Sequence, residues 1–97
     1  MKKNLKYNGR PVEVKAEYYR NNGTLALTLN YEDGDRDVVS VNLNSRFQCR
    51  SMTFLDTNNY PGIDDWVQKN GIGQPMGIYE RSGFCKYSLY TIFVNAL

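Results

Sequence analysis

The 97-residue sequence has no histidine, two cysteines, three prolines and one tryptophan, and each scarcity removes a class of answer. Without imidazole there is neither the most frequent general base nor the commonest metal ligand, so catalysis would have to run on carboxylates or thiols. Cys49 and Cys85, with no third sulfur beside them, cannot build a structural zinc site of four ligands. They read as reduced thiols, with a single bridge between them left for geometry to decide. No window approaches the roughly 18 apolar residues of a membrane span, and no basic N-terminal stretch runs into an apolar core of about 7–15 residues. A cytoplasmic protein without a membrane segment is expected.

A strong charge of one sign is also missing. Twelve basic residues face 10 acidic ones, and a net charge of +2 is too small to argue for a polyanion partner. The distribution is uneven: Lys2, Lys3, Lys6, Arg10, Lys15 and Arg20 outnumber Glu13 and Glu17 in the first stretch, whereas Glu32, Asp33, Asp35 and Asp37 outnumber Arg36 further on.

Hydrophobic residues at 41% and charged residues at 23% suit a chain that folds in water, and its length suits one domain, residues 1–97, with one modest core. Hydrophobic period sets the architecture. Val12, Val14, Ala16 and Tyr18 alternate with Glu13, Lys15, Glu17 and Tyr19, as a half-buried strand requires. Asn21-Asn22-Gly23 tolerates positive φ, and Leu25, Leu27, Leu29 and Tyr31 resume the alternation. Asp33-Gly34 reverses the chain again before Val39, Val41 and Leu43, so residues 10–44 are expected to form a three-stranded meander.

Met52, Phe54 and Leu55 mark a fourth strand, closed by Asp56-Thr57-Asn58-Asn59. Ile63, Trp66 and Val67 then fall at helical spacing, with Asp64 and Asp65 where the helix dipole favours acid and Lys69-Asn70-Gly71 at the close. Ile72-Gly73-Gln74-Pro75 reads as a connector, since proline bars continuation of the helix. Strands follow at Met76–Glu80 and Phe84–Val94 around a Ser82-Gly83 reversal, the last one apolar on both faces and therefore central. The expected fold is α+β: an antiparallel sheet of five to six strands, ordered β-β-β-β-α-β-β, with one short helix packed on one face.

No chemical constellation stands out. Glu32 to Asp37 lacks the spacing of a calcium loop and carries Arg36 within it, so a solvated hairpin tip is the plainer reading. Asp64 and Asp65 diverge around a helix, and Asp56 reads as an Asx-type turn residue. Gly71-Ile72-Gly73 and Ser82-Gly83 lack the strand, loop and helix order of a phosphate cradle. Eight tyrosines are the main excess; tyrosine with arginine serves base stacking and protein interfaces alike.

Asp56-Thr57-Asn58-Asn59, Lys69-Asn70-Gly71, Gln74-Pro75-Met76-Gly77, Arg81-Ser82-Gly83-Phe84 and Tyr87-Ser88-Leu89-Tyr90 occur in an order that resembles a family of short proteins with a domain of unknown function. That family is carried on mobile elements and prophages of Gram-positive gut bacteria. The resemblance covers about residues 38–94, with the N-terminal meander matching only in pattern and Ser88 standing where the family more often has proline. It implies a genomic habitat, and no catalytic residues or cofactor.

The function expected from these features is that of a non-catalytic, cofactor-free binding protein of a mobile element or phage. It would inhibit a host defence nuclease, in the manner of anti-CRISPR or antirestriction proteins. Glu32, Asp33, Asp35 and Asp37 would meet the cationic channel of that bacterial target. The alternative is an accessory single-stranded nucleic-acid binder using Lys2, Lys3, Lys6, Arg10, Arg46 and Arg50. An uncovered sheet face or edge would also serve a homodimer.

Overall fold

The alternating segments of the first half pair as their patterns require. In the computed structural model, which describes residues 5–97, strand β1 (Leu5–Tyr7) turns into β2 (Arg10–Tyr18), and β2 pairs antiparallel with β3 (Leu25–Tyr31). Val12 lies opposite Tyr31 and Tyr18 opposite Leu25, so the apolar residues of both strands share one face. The β1–β2 turn is Asn8-Gly9 with φ of 52° and 79°, the positive pair that a tight two-residue hairpin demands.

The third strand of the expected meander breaks in two. Strand β4 (Arg36–Val38) pairs with β3, whereas β5 (Ser40–Val41) pairs with β6 (Met52–Leu55) in a second sheet. Val39, fully buried between them, donates its N–H to the Leu27 carbonyl at 2.9 Å and accepts the Asp56 N–H at 2.8 Å. Leu43 leaves the ladder altogether, because its N–H bonds the buried Gln48 side chain at 2.9 Å. The single sheet of five to six strands is therefore two four-stranded sheets, ordered β1-β2-β3-β4 and β5-β6-β8-β7, where β7 is Gly73–Ser82 and β8 is Cys85–Ile92. The physical reason is cover: strands apolar on both faces need a layer on each side.

Helix α1 (Ile63–Lys69) buries Ile63 and Val67 completely. Trp66 donates its indole N–H to the Lys6 carbonyl at 2.8 Å and meets the Tyr7 ring edge-on at 5.3 Å. The helix thus packs against the first sheet as well as the second, closing a core of Leu25, Leu27, Leu29, Leu55, Val67 and Ile92 among others. Each such side chain contributes about 1.5–3 kcal/mol on leaving water.

The connector expected at residues 72–75 is instead the start of an edge strand. Strand β7 (Gly73–Ser82) pairs with β8 (Cys85–Ile92), Gly73 opposite Ile92 and Pro75 opposite Tyr90. Proline survives there because β7 lies at the sheet edge. A Cβ at Gly73 would lie 2.4 Å from the Thr91 carbonyl oxygen, so only glycine allows this approach. Strand β8 is central as expected: Tyr90 and Ile92 face the main core, while Tyr87 and Leu89 join Phe54 in a smaller cluster.

Candidate functional site

The acidic segment after β3 is an ordered turn. The Tyr31 N–H donates to the Asp35 carbonyl at 2.9 Å, and Asp33 Oδ1 accepts the Asp35 N–H at 3.0 Å. Arg10 reaches in from β2, placing Nη2 2.9 Å from Asp33 Oδ2 and 3.1 Å from Asp35 Oδ2, with its guanidinium 3.8 Å above the Tyr31 ring. The Asp35 N–H, assisted by Arg10, holds the Asp33 carboxyl below the usual range. Asp37 accepts hydroxyl bonds from Tyr31 at 2.8 Å and Tyr60 at 3.3 Å. Burial, reinforced by that carboxylate, pushes the Tyr31 phenol up to about 12 and raises Tyr60 as well. Three of the four expected acids thus already have partners within the chain, and Glu32 stands exposed beside them.

The basic set does not gather. Lys2 and Lys3 lie outside the described residues, and Arg10 belongs to the acidic turn. Lys6 is exposed, with its carbonyl holding Trp66. Arg46 sits 5.0 Å over the Phe47 ring and Arg50 4.0 Å over the Tyr18 ring. Among the described residues neither guanidinium has an acidic partner, so both keep their charge available.

The thiols are separate and unbridged. Burial pushes the Cys49 thiol up, but the hydrogen bonds that Ser51 and Met52 offer outweigh it and leave the thiol below its ordinary value. Its near neighbours include a hydroxyl at 3.5 Å and no imidazole, the chain having none. Among the described residues no three Cys, Asp or Glu side chains converge as metal ligands do. Asp56 is the turn residue its sequence context implies, accepting the Asn59 N–H at 3.1 Å and the Asn59 amide at 2.9 Å.

One surface was not read from the sequence. The β7–β8 hairpin turns through Gly83, with φ of 62°, and Phe84, whose side chain is 106% exposed. Glycine at the first turn position and an ordinary residue at the second is a type II′ turn, which sets Phe84 at the apex of the hairpin. Tyr79 at 56% and Met76 at 41% extend the exposed apolar surface along β7, and the Lys86 ammonium lies 4.5 Å over the Tyr79 ring. Between Pro75 and Tyr79 the strand bulges, three residues standing against Leu89 alone, which re-aims this part of the edge. The Ser82-Gly83 signal fixed the reversal; that Phe84 follows glycine in a two-residue loop, outside the ladder, was the cue to its exposure.

Two four-stranded antiparallel sheets and one short helix define a small α+β domain. Residues 12–97 match the family described as Domain of unknown function (DUF4313), and the chain belongs to that family. The match takes in the N-terminal meander, which resembled the family only in pattern. No curated protein and no solved structure matches the chain. No described helix is long and apolar enough to cross a membrane.

Proposed function

We propose that this is a non-catalytic binding protein of a mobile element or phage, acting in the bacterial cytoplasm as an inhibitor of a host defence nuclease of the CRISPR or restriction type. The observation that carries the reading is Phe84: a full aromatic side chain at the hairpin apex, fully exposed, on the same hairpin as the exposed Tyr79 and Met76. Water makes such exposure unfavourable, and aromatic residues in that position are the usual anchors of a protein interface. The acidic turn serves the same reading by steering a cationic target toward the domain, with Glu32 its freest charge.

A second reading rests on Arg46 and Arg50, two cations without acidic partners among the described residues, each backed by an aromatic ring. That pairing suits a single-stranded nucleic acid, whose affinity would fall steeply with salt.

Tagged protein captured from a defence-equipped host, with and without nuclease treatment, separates the two. A stoichiometric protein partner that survives nuclease and is lost with Phe84→Ser supports the inhibitor reading. A partner that Phe84→Ser retains removes the hairpin from it, and one that Asp33→Asn, Asp35→Asn and Asp37→Asn together leave unchanged removes the acidic turn. Loss of every partner on nuclease treatment favours nucleic acid.

A further inference from the structure

The two-residue turn Gly83-Phe84 fixes how the end of the β7–β8 hairpin is wired. Ser82 and Cys85 flank it as the hydrogen-bonded pair, so the next pair, Arg81 opposite Lys86, is of the non-hydrogen-bonded kind, whose Cα atoms approach to about 4.5 Å. Two exposed cations thus stand side by side on one face, a juxtaposition that works against the fold. All 10 acids of the sequence lie among the described residues, and none forms an ion pair with Arg81 or Lys86. Glu80, the one acid on the hairpin, alternates to the opposite face, where it accepts the Ser45 hydroxyl at 2.6 Å. Tyr79 shares the face of the two cations, and Lys86 lies 4.5 Å over its ring.

The main chain at this position is turned outward as well. Arg81 and, two residues before it, Tyr79 direct their N–H and C=O groups away from β8, along the side of β7 that forms the end of the second sheet. An extended segment laid antiparallel there would hydrogen-bond both residues and bring its own side chains into register with theirs. Complementarity specifies that segment: an acid opposite Arg81, on the face that Lys86 shares, and an apolar residue two positions later, opposite Tyr79. A nucleic-acid strand would meet the cations, but it has no alternating donors and acceptors to match the β7 main chain.

Building on the reading of Phe84 as the anchor of a protein interface, we propose that β7 docks an extended acidic segment of the target protein as an added strand. Arg81 and Lys86 take its carboxylate and Tyr79 its apolar side chain, beside the Phe84 apex.

Fluorescence anisotropy with a labelled peptide, Thr-Glu-Thr-Glu-Thr-Val-Thr, tests this. Saturable binding is expected, weakened roughly tenfold or more when lysine replaces both glutamates. N-methylation of the second glutamate, whose N–H would bond Arg81, is expected to abolish binding, whereas N-methylation of the threonine after it, whose N–H points away, is expected to spare it. Arg81→Glu gives Lys86 an opposite charge across the hairpin, so its urea midpoint is expected to rise while peptide affinity falls roughly tenfold or more, a combination that a merely structural role would not produce. Absence of saturable binding, equal binding of the lysine peptide, indifference to the position of the N-methyl group, or an affinity unmoved by Arg81→Glu overturns the proposal. So does a single-stranded oligothymidine that binds more tightly than the peptide and is lost with Arg81→Glu. A protein partner captured from the host that is lost with Phe84→Ser but retained by Arg81→Glu leaves the inhibitor reading standing and overturns only the docked strand.

Discussion

Thr28 and Thr53 are both fully buried strand residues, and the same substitution should move stability in opposite directions at the two sites. The Thr28 hydroxyl has acceptors, the Glu17 carboxylate at 3.0 Å and the Lys15 carbonyl at 3.2 Å. The Thr53 hydroxyl has none among the described residues. Valine matches threonine in shape, prefers strands, and deletes the hydroxyl. At Thr53 this relieves an unpaired buried polar group, which costs about 1–3 kcal/mol, so Thr53→Val should stabilise by about 1 kcal/mol. At Thr28 it removes a bond to a half-exposed carboxylate, a loss of about 1–2 kcal/mol. For a domain of this size each kcal/mol shifts the melting temperature by roughly 4–8 °C. Urea titration should show the two midpoints moving apart with unchanged m-values, which keeps the effect in the native state. A Thr53→Val variant less stable than wild type by more than about 0.5 kcal/mol would refute the reasoning, since the hydroxyl must then be bonded.

Gly73→Ala should destabilise by about 1–3 kcal/mol, because its Cβ meets first the Thr91 backbone, which cannot swing aside, and then the Ile92 side chain; an unchanged urea midpoint would contradict the close approach. Folding raises the Tyr31 phenol from near 10 to about 12, so the stability tied to its neutral form is complete below pH 10 and is lost as pH climbs through about 12. Asp37→Asn should bring the Tyr31 and Tyr60 titrations down, read by phenolate absorbance, and an unaltered curve would break that link. Phe84→Ser should leave stability within about 0.5 kcal/mol of wild type while abolishing capture of a partner, as befits a side chain that packs on nothing of its own.

The central hairpin and the helix were legible because period and turn chemistry are local. Val12 to Tyr18 and Leu25 to Tyr31 alternate, and they pair as that alternation requires, Val12 opposite Tyr31. Asn8-Gly9 carried an equally plain hairpin signal, but the expected meander began at residue 10 and left it unused, so β1 was missed. The break at Val39 was not legible: Val39, Val41 and Leu43 alternate identically whether one sheet or two receives them, and the choice depends on Leu27 and Asp56, distant in sequence. Pro75 misled for a related reason, since proline in a strand is tolerated only at an edge, and edges are a property of the assembled sheet. Among the candidate residues, sequence brought together the acids but not the arginine and tyrosines that engage them.

Val39 bonds one sheet through its N–H and the other through its carbonyl, with no residue of slack between them. The two sheets consequently move as one body, and whatever the second sheet's hairpin touches is held at a fixed position relative to the first sheet's edge.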